Sequence, residues 1–446
     1  MGEASVSADV SKIIAHYRER YYRGDAVNWR QWLQDQSFRF AHQRSIHSFE
    51  PLSPEAIHSI LKSLPEPSYQ EVATSSFIGD YMLSLGYVLV STLQNNTNTI
   101  PKQYETELIF RTRKETRAFI RVDTDAVVFG KGNYSHACGH SINLSSVLTV
   151  AQLLRDVGID YIGFIFQPAE EGPGREEDGY SHPRGFGGGQ YLRAKGIYEK
   201  VPTLLSCHID TSLEKDHVRI SHGLATAAAY RFSKRAIGKE AHAALPWQGK
   251  NPIEEATQFI FNIFELNKAF QALSNGEYGL VTPSQLHTTA SEINSLASHC
   301  TIQGISRVSG GHSLQMFHDF MKSNRGEITL EAPPVYNSPF LVEIARSVAH
   351  ENNFQMVESP ARFRDETAWA GPLMGPFVES PERYGKGCDA ILHFFTSNGG
   401  GSGGLHSTEF NPNVLGAIER QVAMLMGIVK GLAHAAKFPP SSSGRN

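Results

Sequence analysis

The chain has few cysteines for its length and no long apolar run. Four cysteines occur in 446 residues, which is too few for a disulfide framework. No stretch approaches the roughly 18 apolar residues of a membrane-spanning helix. The formal net charge of −4 gives no sign of a nucleic-acid-binding surface. The first residues lack the basic and apolar regions of a secretory signal. We therefore predict a cytoplasmic protein with no membrane or nucleic-acid partner.

The length and composition favour a globular protein with more than one domain. Hydrophobic residues make up 40% and charged residues 19% of the chain, as in ordinary globular proteins. A single core rarely extends over 446 residues. The glycine-rich segment 399–404 lacks the Lys-Ser/Thr of a phosphate-binding loop. We interpret this segment as a flexible approach to His406.

Strand and helix patterns alternate through the first half of the chain. Strand patterns occur at 107–111, 118–123, 161–167 and 202–207, and helical patterns at 68–85, 142–157 and 190–195. This alternation predicts an α/β fold in which helices cover a mostly parallel sheet. Further helical patterns occur at 11–22, 25–36 and 54–64. They predict a helical N-terminal extension that covers residues 1–65.

A different order of elements marks an insertion at residues 224–335, which we call the lid. The predicted order is a strand (228–233), a helix (252–270), strands (286–293 and 300–308), a helix (312–323) and a strand (327–331). This is the split βαββαβ arrangement of a ferredoxin-like α+β domain. A catalytic domain would then combine residues 66–223 with 336–438, and residues 439–446 would form a disordered tail.

Polar side chains follow three neighbouring predicted strands. Asp125 follows the first strand, Glu170 and Glu171 follow the second, and His208 follows the third. Because the carboxyl ends of parallel strands meet at one edge of a sheet, these side chains are expected to converge. Taken alone, the glutamate pair could be a solvated surface feature, and His208 could be a core histidine.

Cys138 and His140 add a thiol and an imidazole two residues apart, and His406 adds another imidazole. A Cys-x-His pair by itself is weak evidence for metal binding. Together with the residues of the predicted sheet edge, it gives one thiol, three imidazoles and two adjacent carboxylates. That set suits two divalent metal ions, with one carboxylate left for proton transfer.

Five motifs in the same order resemble one known family. They are Asp123-Thr-Asp-Ala126, His136-Ala-Cys-Gly-His140, Gln167-Pro-Ala-Glu-Glu171, Gly238-Lys-Glu-Ala-His-Ala-Ala244 and Leu405-His-Ser407. The family is the amidohydrolase branch of the aminoacylase/carboxypeptidase-type dinuclear metallopeptidases. It includes auxin-conjugate hydrolases, hippurate hydrolases and N-acetyl-diaminopimelate deacetylases. The resemblance covers residues 65–436, and the helical stretch before Pro65 is longer than the family usually has.

The resemblance implies a set of metal ligands and a general base. Cys138 would bridge two metal ions, and the remaining ligands would be His140, Glu171, His208 and His406. Glu170 would be the general base, and Asp125 would orient a ligating imidazole. The mixed Cys/His/Glu set favours zinc, with manganese, cobalt or nickel as alternatives.

The resemblance also implies functional residues on the lid. His242 would polarise the scissile carbonyl when the lid closes, and Asn294 and Arg307 would touch the substrate. Trp247 stands where relatives have a histidine and would form an aromatic wall of the substrate pocket. An exposed edge strand of the lid would pair with a second copy, which predicts a homodimer.

Several departures from the family pattern bear on the substrate rather than on the metal ions. Ser141 replaces the usual aspartate, and an extra polar segment occupies 172–186. We therefore expect an amidohydrolase that cleaves a specialised N-acyl amide to a carboxylate and an amine. Two alternatives are a dipeptidase or aminopeptidase of the same fold, and a non-catalytic relative that binds acyl-amino acids. Retention of Glu170 and of all proposed ligands argues against the second alternative.

Overall fold

The computed structural model describes 13 stretches of the chain. They are residues 8–22, 51–90, 107–112, 115–129, 133–172, 174–175, 180–181, 187–273, 277–290, 292–362, 364–373, 377–378 and 386–435. The predicted helix at 25–36 and the predicted disordered tail at 439–446 lie outside these residues, and so does most of the polar segment 172–186.

An eight-stranded sheet forms the centre of the larger part of the molecule. Its order is β1-β2-β6-β3-β9-β18-β10-β17. The four middle strands β6, β3, β9 and β18 run parallel to one another, whereas strands nearer the edges include antiparallel pairs. The strands are β1 (Val88–Leu89), β2 (Leu108–Arg111), β3 (Ala118–Asp123), β6 (Ile162–Gln167), β9 (Thr203–Asp210), β10 (His217–Arg219), β17 (Gln355–Val357) and β18 (Ala390–Ser397). The predicted α/β fold with a mostly parallel sheet is confirmed.

Helices cover both faces of this sheet. The helices are α1 (Ala8–Tyr22), α2 (Pro54–Lys62), α3 (Val72–Ser84), α4 (His140–Asp156), α5 (Gly188–Ala194), α8 (Pro339–Glu351) and α9 (Val414–His434). In β3, Ile120 and Val122 enter the core under α4 and α9, while Phe119 enters a second core on the opposite face. A strand buried on both faces needs apolar residues in succession, which explains why Phe119 and Ile120 are adjacent in β3.

The N-terminal helices belong to the same core as the sheet. Val10 and Tyr17 of α1 are buried in the cluster that contains the central strands, and the Tyr17 hydroxyl donates to Asp80 at 2.5 Å. Helix α2 begins after Ser53, whose side chain accepts the Ala56 N–H, and Pro54 occupies its first turn. The described part of the predicted extension is therefore packed against the sheet domain.

The lid has the predicted βαββαβ order. Its elements are β12 (Ala228–Ile237), α6 (Pro252–Gln271), β13 (Gly279–Thr288), β14 (His299–Val308), α7 (Gly311–Ser323) and β15 (Glu327–Ala332). The sheet order β13-β14-β12-β15, with all pairs antiparallel, is that of a ferredoxin-like domain. The core of the lid lies between this sheet and the two helices.

One strand of the lid was predicted in the wrong place. The pattern indicated 286–293, but β13 runs from Gly279 to Thr288. Pro283 lies inside the strand, where it coincides with an irregularity in the pairing with β14. A proline is tolerated here because β13 is at the edge of the sheet. Because proline is unusual inside a strand, the sequence pattern did not indicate the first half of β13.

The lid joins the rest of the molecule at more than the two points where the chain enters and leaves it. Short strands β11 (Gly223–Leu224) and β16 (Tyr336–Asn337) pair where the chain enters and leaves the lid. In addition, Phe377 and Val378 are buried in the lid core, and the Tyr230 hydroxyl donates to the Phe377 carbonyl at 3.1 Å. When the lid moves, Phe377 and Val378 must therefore either move with it or leave its core.

Three antiparallel pairs of two-residue strands complete the described strands. They are β4 (Val127–Val128) with β5 (Tyr134–Ser135), β7 (Gly174–Arg175) with β8 (Tyr180–Ser181), and β11 with β16. The β7–β8 pair lies in the extra polar segment. Among the described helices, none is long and apolar enough to cross a membrane.

Candidate metal centre

The three predicted strands deliver their polar side chains to one edge of the sheet. Strands β6, β3 and β9 are parallel neighbours, with Glu170 and Glu171 after β6 and Asp125 after β3. His208 lies within β9 and not after it, because β9 runs on to Asp210 and pairs with β18 there. With this additional pairing the strand ends three residues beyond its predicted end at 207, but the His208 side chain stays at the same edge of the sheet.

Cys138, His140 and Glu171 form a compact group of potential ligands. One ligand atom of each lies within 4.8 Å of the others. His406 approaches the same group, with Nε2 3.1 Å from Glu171 Oε1. The His208 ring meets the His140 ring edge to face at a centroid distance of 5.5 Å. All five predicted ligands are thus contiguous, although their roles as ligands stay a prediction.

Two backbone conformations bring the ligands together. Gly139 has φ of 90°, and a side chain there would collide with Ile209, so glycine is required between Cys138 and His140. His406 also has a left-handed φ of 57°, and its N–H donates to the Ala137 carbonyl at 2.9 Å. The glycine-rich segment before His406 is therefore fixed to the Cys138 loop.

Hydrogen bonds orient two imidazoles toward the same space. His140 Nδ1 lies 2.8 Å from the Asp125 carbonyl oxygen and 3.4 Å from its carboxylate. His208 Nδ1 lies 2.8 Å from the Ile209 carbonyl oxygen. Because a carbonyl can only accept, each Nδ1 carries the hydrogen, and each Nε2 keeps a lone pair for a metal ion. The buried His140 Nε2 has no hydrogen-bond partner among the described residues.

This arrangement fits a metal site. The donor set combines a thiol, imidazoles and carboxylates, and the unpartnered Nε2 of His140 points at it. Asp125 lies beside His140, and its closest contact with the His140 ring is through the main-chain oxygen. The Asp125 carboxylate accepts hydrogen bonds from the Ser68 hydroxyl at 2.7 Å and the Glu171 N–H at 2.9 Å.

Glu170 is presented by a tightly held turn. Ala169 has a left-handed φ of 54°, its N–H donates to Glu71 at 2.8 Å, and its carbonyl accepts from Gly188 at 3.0 Å. A Cβ on Gly188 would lie only 1.6 Å from the Pro168 oxygen. This approach explains the glycine at position 188, and Glu170 Oε2 lies 3.9 Å from His140 Nε2.

The two adjacent glutamates have opposite electrostatic environments. Burial raises the pKa of Glu170 to about 7, and Glu171 adds to that rise while Arg364 opposes it. Burial alone would raise the pKa of Glu171 as well, but the hydrogen bond with His406 lowers it below the usual range. A carboxylate poised near neutrality suits a general base, and a permanently ionised one suits a ligand.

The lid residues are not part of this group. His242, Asn294 and Trp247 are exposed, with Trp247 at 74%. His242 Nδ1 accepts the Ala244 N–H at 3.1 Å, and the Ala243 N–H donates to the Asn294 carbonyl at 2.7 Å. Among the described residues, none of the three makes a hydrogen bond or ion pair with the sheet domain.

Arg307 differs from the other lid residues because it is largely buried at the junction with the sheet domain. It lies 3.9 Å from Glu331 of β15. Burial and the neighbouring Arg364 guanidinium lower its pKa, whereas Glu331 and Glu170 act in the opposite direction. The charge of Glu170 therefore already affects the pKa of Arg307 in this conformation.

The sequence did not indicate two buried arginines near the site. Arg121 lies inside β3 and donates to Gln167 at 3.1 Å, to Asp365 at 3.0 Å and to Thr367 at 2.6 Å. Arg364 donates to the Glu170 carbonyl at 2.8 Å. A charged residue within an apolar strand was a usable signal for Arg121. Arg364 stands in a charged run that is typical of a solvated loop.

Comparison with known proteins identifies the family. The model of peptidase family M20/M25/M40 matches residues 119–369, which is more than half of the chain. The chain belongs to this family. The match includes the Cys138 loop, both glutamates and His208, and it ends before His406.

Curated relatives of this M20 chain include amide hydrolases. The N-acyl-L-amino acid amidohydrolase of Geobacillus stearothermophilus is 29% identical over 46% of this chain and 53% of its own length. The N-acetyldiaminopimelate deacetylase of Listeria monocytogenes is 27% identical over 46% of this chain and 54% of its own. The chain thus spans about half the length of these relatives.

Solved structures share the fold over most of the chain. The YXEP protein of Bacillus subtilis, described as a dinuclear metal binding peptidase from the M20 family, has a TM-score of 0.58 at 17% identity. It covers 85% of this chain and 99% of its own. A putative aminohydrolase from Staphylococcus aureus has a TM-score of 0.60 at 19% identity, with 90% and 97% covered. At these identities the likeness establishes the fold alone.

Proposed function

We propose that this M20 protein is a metal-dependent amidohydrolase that cleaves an N-acyl amide to a carboxylate and an amine. The observation that carries the proposal is the group of Cys138, His140 and Glu171, whose ligand atoms lie within 4.8 Å of one another. Glu170 adjoins this group with its pKa raised to about 7 by burial. The amide-hydrolase relatives support the same reaction class.

Five side chains would hold two divalent metal ions, most simply zinc. Cys138 would lie between them, and the other ligands would be His140, Glu171, His208 and His406. Bound there, the cations would polarise the amide carbonyl and make a water molecule more acidic. Asp125 would keep the His140 ring in the tautomer that leaves Nε2 free, through the 2.8 Å contact at Nδ1.

Glu170 would move the protons. Its carboxylate would take one proton from the attacking water as the C–O bond forms, and would then pass it to the leaving nitrogen as the C–N bond breaks. One water is consumed, and a carboxylic acid and an amine are released. The buried surroundings that raise the pKa of Glu170 to about 7 favour both proton uptake and proton release near neutral pH.

The lid would supply substrate contacts after it approaches the sheet domain. His242 would polarise the carbonyl oxygen, and Arg307 and Asn294 would hold the acyl-amide or its carboxylate. Trp247 would offer an apolar wall. The exposure of His242, Asn294 and Trp247 is compatible with this idea, since groups that meet the substrate only on closure must be free beforehand.

The test of the reaction is a screen of amide substrates on protein with a measured metal content. N-acyl-L-amino acids, dipeptides and tripeptides would be compared under the same conditions with zinc, manganese, cobalt or nickel added. We expect hydrolysis of one or more N-acyl-L-amino acids and two metal ions per chain by elemental analysis. Preferential cleavage of dipeptides or tripeptides would favour a peptidase. Substrate binding without cleavage by metal-loaded protein would favour a non-catalytic relative.

We also propose that the lid carries a homodimer interface. Edge strand β13 exposes Leu280 and Leu286, and α6 exposes Phe261 and Phe264. An exposed strand edge beside apolar side chains invites pairing with a second copy. Leu286→Lys should convert the dimer to a monomer in sedimentation experiments. Val157→Lys places the same charge at a similarly exposed residue of the sheet domain and should leave the dimer intact. A monomeric unaltered protein would contradict the proposal.

A further inference from the structure

Arg364 contacts the turn that carries Glu170. Its Nη2 donates to the Glu170 carbonyl oxygen at 2.8 Å, and its Nη1 lies 3.9 Å from Glu170 Oε1. Only 16% of the Arg364 side chain is exposed. The guanidinium therefore contacts both the main chain and the side chain of the same glutamate.

Glu366 anchors this guanidinium from the other side. Arg364 Nη1 donates to Glu366 Oε1 at 3.1 Å. The other Glu366 oxygen accepts the N–H groups of Gly189 at 3.1 Å and Gln190 at 3.4 Å, at the start of α5. Because α5 also supplies the Gly188 N–H that holds the Glu170 turn, Arg364 and Glu170 are fixed to the same helix.

The contacts divide the two oxygens of the Glu170 carboxylate. Oε1 is on the Arg364 side, and Oε2 is on the His140 side at 3.9 Å from Nε2. A planar guanidinium constrains a carboxylate more strictly than an ammonium group does, because its N–H directions are fixed. One oxygen thus lies within ion-pair distance of the guanidinium, while the other faces the candidate metal ligands.

The charges around Arg364 keep it cationic in this buried place. Burial alone would lower the pKa of Arg364, but Glu170, Glu366 and Glu331 together raise it above the usual range. Glu331 belongs to β15 of the lid and also lies 3.9 Å from Arg307. The guanidinium therefore stands among carboxylates, and Glu170 is the one that lies between it and His140.

We propose that Arg364 is a positioning residue that fixes the orientation of the Glu170 carboxylate for proton transfer. This inference rests on the proposed role of Glu170 as general base. A misplaced catalytic group can cost about 100-fold in rate. Removal of Arg364 should therefore lower kcat and leave substrate binding nearly unchanged.

The experiment compares Arg364→Ala and Arg364→Lys with Arg362→Ala. Arg362 is exposed and lies over the Tyr278 ring at 5.6 Å, so it is a matched control from the same segment. The substrate would be the best N-acyl-L-amino acid of the screen above. We expect Arg364→Ala to lose about 100-fold in kcat, with KM and metal content close to those of the unaltered protein.

Two further results distinguish positioning from a purely structural role. Added guanidinium chloride at low millimolar concentration should partly restore kcat of Arg364→Ala and leave Arg362→Ala unaffected. Arg364→Lys should recover little, because an ammonium group cannot make the two contacts with fixed geometry. An unchanged kcat, or a raised KM with an unchanged kcat, would overturn the inference, as would loss of activity that follows loss of metal. If the unaltered, metal-loaded protein cleaves no amide, the proposed function fails, and this inference fails with it.

Discussion

The candidate metal-ligand group and the lid loops that carry His242, Trp247 and Asn294 differ in how far their side chains are buried. His140 is fully buried. The His208 ring contacts the His140 ring, and the Glu171 N–H donates to the carboxylate of Asp125, which lies beside His140. On the lid, His242 and Asn294 are exposed, and Trp247 is 74% exposed. The first region is organised before any substrate arrives. The second has few side-chain partners in this conformation.

This contrast follows from where each set of residues stands in the fold. The candidate ligands stand at the carboxyl ends of parallel strands, where neighbouring loops must converge. His242 and Asn294 stand in loops that pair with each other through their main chains, which fixes their backbones but leaves their side chains open. We therefore expect substitutions in the first region to change metal content and those in the second to change turnover alone.

The largest effect is expected for Cys138→Ala. A thiolate between two cations holds both, so the variant should lose much of its bound metal and nearly all activity. Changes outside the ligand set already cost about 10- to 100-fold in metal affinity, and loss of a direct ligand should cost more. Elemental analysis after dialysis is the measurement. Cys207→Ala is the control, because Cys207 faces the apolar core and should not affect metal content. Two retained metal ions in Cys138→Ala would contradict the bridging role.

His242→Ala should give the second-largest effect. Loss of one group that polarises a reacting carbonyl typically costs about 100- to 1000-fold in kcat. Metal content should not change, since His242 lies outside the ligand group. Steady-state kinetics and elemental analysis of the same sample would check both parts. Full activity of the variant would mean that the lid covers the site without taking part in the reaction.

A smaller effect is expected for His58, which links helix α2 to the start of α4. Its Nε2 lies 3.3 Å from the Ser141 hydroxyl. Burial, with help from Lys62 and His136, lowers the pKa of His58 from 6.5 to about 3. The folded protein therefore keeps this ring neutral, while the unfolded chain takes up a proton below pH 6.5. Stability must fall as the pH drops from 6.5 towards 3, by about 2 kcal/mol at pH 5 from this group.

Urea unfolding of metal-free protein at pH 7.5 and pH 5 tests the effect of His58. His58→Gln should lose about 2 kcal/mol less than the unaltered protein over this interval. His350→Gln removes an exposed histidine and should behave like the unaltered protein. An equal acid loss in His58→Gln would show that His58 does not carry this part of the stability. The result bears on the buried region, since Ser141 adjoins the candidate ligand His140.

The sequence predicted the sheet edge well because its signals were local. Asp125, Glu170 and Glu171 directly follow apolar strands, and the order of strands placed them together. The βαββαβ order of the lid was equally readable from periodicity. Strand β13 was misplaced because Pro283 opposes a strand assignment unless the strand is known to lie at an edge. Edge position is a property of the assembled sheet.

Residues that act through distant contacts could not be predicted in this way. Arg364 meets Glu170 across 194 positions of sequence, and Arg121 meets Asp365 across 244. His58 reaches Ser141 from the N-terminal helices, a region in which the family pattern gave no guidance. Phe377 enters the lid core from outside the insertion. None of these contacts produces a hydrophobic periodicity or a motif in either of the two segments that it joins.

The most direct test of the account is a paired comparison of Glu170→Gln with Glu171→Gln. The account assigns proton transfer to Glu170 and metal ligation to Glu171. Glu170→Gln should retain two metal ions per chain and lose about 100- to 10,000-fold in kcat. Glu171→Gln should lose metal as well as activity. If Glu170→Gln stays active but loses a metal ion, while Glu171→Gln keeps both, the two roles have been assigned the wrong way round.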